Sequence, residues 1–505
     1  MTIEVCHIKL QVTDSSNQSM SVDILEIEPK RLWYHFYRLT QIPRPSGHED
    51  AVRAYVASVA ESYSLEHLID EAGNVLIRKP ATPGMENRRG VVMQAHLDMV
   101  PQKTAGTVHD FEKDPIDAFI DDGWVKARGT TLGADNGIGV AAALSVLESD
   151  TLRHGPLEAL FTANEEAGMT GALGLKPGML NGQILLNLDS EDEGELFVGC
   201  AGGLDGTIKF SYSAVPVLPD CTGVEIRVSG LRGGHSGMDI DLGRGNANKI
   251  MNRILQMGVE HCGVHLASID GGSLRNAIPR ESIALVAVPF DGKEVFLNGV
   301  QTIAESIGSE LRRADPGLRI EATPVEVPVM VMDVEAVKRL IEVVAACPDG
   351  VCSMSAEMQG LVETSNNLAR VKSDGSSVAV ECLLRSSVEE GMQELAGMIG
   401  AVAGKTGSVA LFDHGYPGWR PDPASPVLKC MSDIYRNRFG KTPEIRAVHA
   451  GLECGIIGAA CPGLDMISFG PTIRHPHSPE EKVNWASVVK FRDFLVATLE
   501  GIPER

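Results

Sequence analysis

Short, continuous apolar runs separated by helix-length segments dominate the first two hundred residues. Asn74 to Ile77, Val91 to Ala95, Leu157 to Ala163 and Ile184 to Leu188 are four such runs, bounded by turn residues and of strand length. Strands with so little alternation belong to a sheet covered on both faces, and their rotation with helical segments predicts an α/β fold with a central sheet flanked by helices. Leu32, Phe36 and Leu39 recur at helical spacing between Glu28-Pro29-Lys30 and Pro43-Arg44-Pro45, which bounds one helix, and Ile138 to Leu147 reads as another. Ahead of these, residues 3–12 and 21–28 alternate around the polar stretch Thr13 to Ser19 and predict an N-terminal hairpin.

After Gly202-Gly203 the periodicity changes. Val224-Glu225-Ile226-Arg227-Val228 alternates like a half-exposed strand, and amphipathic helices are expected at about 246–257 and 294–312, the signature of a separate α+β unit. Beyond Tyr416-Pro417-Gly418-Trp419, a helix at about 425–438 and the apolar run Met466 to Phe469 resume the first pattern. The expected organisation is therefore a first domain in two parts, 1–205 and 414–505, interrupted by an insertion at 206–413.

Composition narrows the partners. The 505 residues carry 45 Lys and Arg against 67 Asp and Glu, a net charge of −22, and no basic run that would track a nucleic-acid backbone or an anionic membrane. No stretch of about 18 apolar residues and no secretory leader pattern occurs, so the expected location is cytoplasmic. The ten cysteines are scattered without a C-x-x-C pair, which fits a reducing compartment and indicates neither a disulfide framework nor a thiolate zinc site.

Chemistry concentrates at the ends of the apolar runs. His96-Leu97-Asp98 follows the second run, Asn164-Glu165-Glu166 the third and Asp189 the fourth, while His477-Ser478-Pro479-Glu480 trails the run at 466–469. Asp135 lies in a glycine-rich loop just before the helix at 138–147. Ligands of open α/β sheets bind outside the carboxyl ends of strands. Any one of these residues taken singly is an ordinary cap or surface carboxylate; only their joint placement points to a site. Two imidazoles with three carboxylates suit Zn²⁺, Mn²⁺ or Co²⁺, and two divalent ions balance three carboxylates better than one ion does.

Longer motifs carry a resemblance. His96-Leu97-Asp98-Met99-Val100-Pro101, the stretch Lys126 to Gly139, Thr162 to Met169, Asn187-Leu188-Asp189-Ser190-Glu191 and His449-Ala450-Gly451-Leu452-Glu453-Cys454-Gly455 resemble the di-zinc metallopeptidases that include cytosolic aminoacyl-histidine (Xaa-His) dipeptidases, carnosinases, aminoacylases and peptidase T. The resemblance runs from about Leu25 to Pro503 and leaves roughly the first 24 residues as an extension. It implies a zinc-peptidase catalytic domain with a mixed central sheet, interrupted by an inserted α+β lid and dimerisation domain. It also implies two Zn²⁺ per subunit, replaceable by Co²⁺ or Mn²⁺, small peptide substrates and a homodimer.

Carried over residue by residue, the resemblance makes Asp135 the carboxylate shared by both ions, with His96 and Asp189 at one ion and Glu166 and His477 at the other. His475 competes with His477, which is preferred because Ser478-Pro479-Glu480 follows it directly. Asp98 would orient His96, and Glu165 would be the general base for attack by metal-activated water. In the insertion, His235 in Gly233-Gly234-His235-Ser236-Gly237 would stabilise the oxyanion and Asn276 and Arg385 would contact substrate, as would Glu453 in the second part of the first domain. Arg385 stands on the phase of its strand opposite Val378, Val380, Cys382 and Leu384, and its forked guanidinium suits a dipeptide carboxylate. The implied activity is hydrolysis of unblocked dipeptides, Xaa-His included. A related aminoacylase, carboxypeptidase or tripeptidase, or an inactive metal-binding scaffold, is the alternative.

Overall fold

The structure, a computed structural model, describes residues 24–504. Most of the expected N-terminal hairpin lies outside the described residues. Its last part is corrected: Ile24–Glu26 form a 3₁₀ turn, not a strand. Ile24 and Ile27, three positions apart, fall on one side of such a turn, and both are buried in the core that also takes Leu32, Phe36 and Leu39 of the helix Lys30–Thr40.

The first domain is built on an eight-stranded mixed sheet. Its spatial order is Glu66–Ile69, Val75–Lys79, Leu157–Thr162, Val91–His96, Ile184–Asn187, Asp465–Ser468, Glu195–Cys200 and Glu444–Val448. The four central strands, 157–162, 91–96, 184–187 and 465–468, are mutually parallel, so their carboxyl ends open on one edge. Because successive side chains alternate between faces, each central strand feeds two cores. Val91, Met93, Ala95, Ala159, Phe161, Ile184 and Leu186 join one core, closed by the helices Lys30–Thr40, Asp50–Ser62, Ala134–Leu147, Pro426–Phe439 and Trp485–Gly501. Val92, Leu160 and Leu185 enter a smaller core on the opposite face, against the helix Glu453–Ala460. Burial on both faces is why these runs lack alternation.

A second sheet of nine strands has its own core. It begins with Gly202–Ser211, ends with Val409–Tyr416, and carries the helices Ala247–Cys262, Lys293–Glu310, Val334–Ala346 and Glu389–Lys405 on one face. The chain enters and leaves this body side by side. Cys200 and Trp419 exchange both backbone hydrogen bonds, at 2.9 Å each, and a Cβ on Gly202 would lie 2.4 Å from the Tyr416 carbonyl oxygen. The nine described cysteines are free thiols.

Candidate metal centre

Asp135 stands between two imidazoles. Its Oδ1 lies 3.1 Å from His96 Nε2 and its Oδ2 3.1 Å from His477 Nε2. Asp189 Oδ1 approaches the same His96 nitrogen at 3.3 Å, and Glu166 Oε2 the same His477 nitrogen at 3.1 Å. Two three-residue groups capable of holding a metal ion, His96 with Asp135 and Asp189, and His477 with Asp135 and Glu166, thus share one carboxylate. Glu165 also gathers with His96 and Glu166. His475 contributes a carbonyl to Ser478 Oγ, and among the described residues its side chain has no hydrogen bond or ion pair to the cluster.

His96, Glu165, Glu166 and Asp189 follow strand ends, Asp135 stands at the start of the helix Ala134–Leu147, and buried polar groups brace several of them. His96 closes the strand Val91–His96, directly opposite Thr162 at the end of its parallel neighbour. Asp98, fully buried, lies 3.4 Å from His96 Nδ1 and accepts the backbone N–H groups of Glu165 (2.9 Å) and Glu166 (3.1 Å) and the Ser46 hydroxyl (2.7 Å). Burial opposes ionisation of Asp98, but His96, Ser46 and the Glu165 amide hold its carboxyl down at about 2. One carboxylate therefore braces the Glu165-Glu166 turn and stands beside the His96 imidazole.

The Asp135 loop is held from beneath. The buried Glu481 carboxylate accepts four consecutive backbone N–H groups, those of Leu132, Gly133, Ala134 and Asp135, at 2.7–3.2 Å. Gly133 takes a left-handed φ of 71° to turn the loop into this cradle, a conformation open to glycine without penalty. Arg44, also buried, donates to the carbonyls of Leu97, Asp98 and Gly133 and so ties the His96 loop to the Asp135 loop. Asn136 donates to the Leu188 carbonyl at 2.9 Å and to the Asp189 carboxylate. None of Glu481, Arg44 and Asn136 was singled out from sequence.

The set of donors fits two divalent cations. Asp135, Asp189, Glu165 and Glu166 crowd together, Glu166 Oε1 is buried without a hydrogen-bond partner, and so dense a group of carboxylates is stable only with positive charge among them. Burial pushes the Glu165 carboxyl well above the usual carboxylate range, with His96 opposing and Asp189, Glu453 and Glu166 adding to the shift. Glu453 lies below the cluster at the first position of the helix Glu453–Ala460, fully buried; its Oε2 accepts from Gln94 Nε2 (2.7 Å) and Thr162 Oγ1 (2.6 Å) while Oε1 has no partner.

A second group of expected residues assembles on the inserted body. His235 and Ala277 pair across a two-stranded ribbon, which places Asn276 next to His235, and the Ser236 amide donates to the Asn276 carbonyl at 2.8 Å. The amides of Gly237 (3.2 Å) and Met238 (3.0 Å) both donate to His235 Nδ1. That fixes the neutral tautomer with its proton on Nε2, a hydrogen-bond donor. Burial and the Arg385 charge lower the His235 pKa, favouring that neutral form. Arg385 is buried rather than exposed and reaches Ser236 Oγ and Tyr416 OH, each at 3.3 Å. Among the described residues no hydrogen bond or ion pair joins His235, Asn276 or Arg385 to the metal-binding cluster.

A mixed sheet whose parallel strand ends gather around a carboxylate shared between two histidine–carboxylate groups is the architecture of a metallopeptidase. The chain belongs to Peptidase family M20/M25/M40, matching it over residues 92–501. It is 43% identical over 483 residues to the cytosol non-specific dipeptidase of Escherichia coli (strain K12), covering 96% of this chain and 100% of that protein. The crystal structure of aminoacylhistidine dipeptidase from Vibrio alginolyticus matches with a TM-score of 0.91 at 45% identity, over 96% of this chain and 99% of that one. The aminopeptidase PepT of Bacillus cereus matches with a TM-score of 0.54 at 16% identity, over 94% of this chain and 99% of that one, a likeness of fold alone.

Proposed function

We propose that this protein is a cytoplasmic dipeptidase that hydrolyses unblocked dipeptides, Xaa-His included, with two zinc ions per subunit. The observation that carries the reading is the bridging position of Asp135, one oxygen toward His96 and the other toward His477, each 3.1 Å away. The dipeptidase relatives, alike over nearly the whole chain, support the substrate class.

In this reading His96, Asp135 and Asp189 hold one ion and Asp135, Glu166 and His477 the other, with Co²⁺ or Mn²⁺ as possible substitutes. When bound, the ions acidify water and polarise the scissile carbonyl. Glu165, its carboxyl held beside the cluster by the Asp98 brace, accepts the proton of the attacking water and returns it to the departing amine. His235 donates Nε2–H to the oxyanion of the tetrahedral state. Arg385 pairs with the terminal carboxylate of the dipeptide, and Asn276 supplies a further polar contact. Glu453 acts from beneath the cluster through Gln94 and Thr162, which modifies the expectation that it touches substrate.

The catalytic domain then comprises residues 1–205 and 414–505, and the lid residues 206–413. A homodimer fits the exposed Val409, Leu411 and Phe412 on the outermost strand of the second sheet. The test is hydrolysis of free, N-blocked and longer peptides before and after chelation. Cleavage of free dipeptides, lost to chelator and restored by Zn²⁺, supports the reading; preference for N-blocked or longer peptides points to an aminoacylase or a longer-peptide hydrolase, and inertness to a scaffold.

A further inference from the structure

His449 directly follows the strand Glu444–Val448 of the first sheet and is buried, yet nothing in the proposed reaction uses its ring. Its Nε2 lies 2.7 Å from Ser365 Oγ, a buried hydrogen bond that crosses from the first domain to the inserted body. Ser365 stands opposite Arg385 on the neighbouring antiparallel strand. Directly opposed residues of such a pair project from the same face, with Cβ atoms about 5 Å apart. The imidazole therefore holds the inserted body at the cross-strand neighbour of the guanidinium proposed to pair with the substrate carboxylate.

The backbone around His449 is fitted to the same place. A Cβ on Gly237 would lie 1.9 Å from the His449 carbonyl oxygen and 3.2 Å from Arg385 Cδ, so a glycine is needed for the His235 loop to rest on this segment. The amide of that same Gly237 donates to His235 Nδ1. The carbonyls of Val448 and Ala450 both accept the Ala201 N–H, at 3.1 and 3.0 Å, where the chain passes into the inserted body. A Cβ on Gly451 would lie 3.0 Å from the Tyr416 ring, and Tyr416 OH meets Arg385 at 3.3 Å. Burial pushes the His449 pKa down to about 3, the Arg385 charge adding to the shift, so the ring is neutral and does not compete with Arg385 for an anion.

We infer that His449 is a positioning residue: through Ser365 and the Gly237 loop it sets where Arg385 stands relative to the first domain, and so how tightly the dipeptide carboxylate is held. The inference rests on the dipeptidase reading above and extends it to a residue that acts through others.

The experiment compares kcat and KM for Ala-His and Ala-His amide, together with zinc content, in the zinc-loaded wild type, Ser365→Ala, His449→Leu, His449→Gln and the double variant of Ser365→Ala with His449→Leu. The wild type should favour the free dipeptide over its amide. Ser365→Ala and His449→Leu should each lower that preference about three- to tenfold, the scale of one buried hydrogen bond, through KM and with zinc content unchanged. The double variant should lose no more than the larger single loss, because both changes remove one interaction. His449→Gln, whose side-chain amide still reaches the Ser365 hydroxyl, should keep most of the preference. A preference retained in Ser365→Ala, losses that add in the double variant, or equal losses for dipeptide and amide overturn the inference while leaving the peptidase reading intact. If His449→Leu does not fold, Ser365→Ala against His449→Gln decides on the same ratio. A wild type that cleaves neither substrate overturns both.

Discussion

Glu481 reaches Asp135 through the backbone: its Oε1 accepts the Asp135 N–H at 3.2 Å while the same carboxylate takes three preceding amides. A residue 346 positions away in the chain thus sets where the shared carboxylate stands. Removing it leaves four buried donors unpaired and frees the loop.

Glu481→Ala should therefore lower metal affinity about 10- to 100-fold, the usual effect of losing an outer support of a metal ligand. A competitive chelator titration reads this directly. Glu481→Gln, which keeps the carbonyl acceptor, should fall between the wild type and the alanine variant. Equal affinities in all three would mean that the Asp135 loop holds its shape without the cradle.

Arg385→Met should raise KM for dipeptides by at least about tenfold and leave zinc content unchanged, because the proposed charge-assisted contact to the dipeptide carboxylate would be lost while the residues proposed to hold the metal are untouched. A dipeptide amide, lacking the terminal carboxylate, should discriminate poorly between wild type and variant. An unchanged KM for free dipeptides removes Arg385 from substrate binding.

Acid stability should depend on Glu148, far from the site. This buried carboxylate hydrogen-bonds Arg31, His35 and Tyr63. Burial opposes its ionisation, but Arg31 and His35 outweigh that and hold it down at about 2 from the ordinary 4.5. A carboxyl with a depressed folded pKa stabilises the protein above the unfolded value and loses that contribution as pH falls from about 4.5 toward 2. Glu148→Gln should lower the Tm at pH 7 and narrow its gap to the wild type as the pH falls below 4. A gap independent of pH would show that the ion pairs contribute nothing.

Much of this architecture was legible in the sequence for a definite reason. Val91 to Ala95 and Ile184 to Leu188 feed cores on both faces of the sheet, so continuous apolarity marked them, and the residues that follow them fall at one sheet edge whatever the loop details. The edge strands Glu66–Ile69 and Glu444–Val448 were not legible, because their half-exposed residues alternate too weakly. Glu481 and Arg44 were invisible as supports: a glutamate after Pro479-Glu480 and an arginine between two prolines read as ordinary loop residues. Their roles come from loops that meet only in the folded chain. Arg385 was legible by its phase on the strand, but its burial was not, since that depends on Tyr416 and Ser236 closing over it.

The central claim is that Glu165 moves the proton at a centre whose metal is held by other residues. Zinc content and single-turnover hydrolysis of Ala-His should be measured side by side for the wild type and Glu165→Gln. The account predicts two zinc ions per subunit in both and a rate lower by about 10²–10⁴ in the variant. A variant that binds two ions and cleaves at the wild-type rate would contradict it.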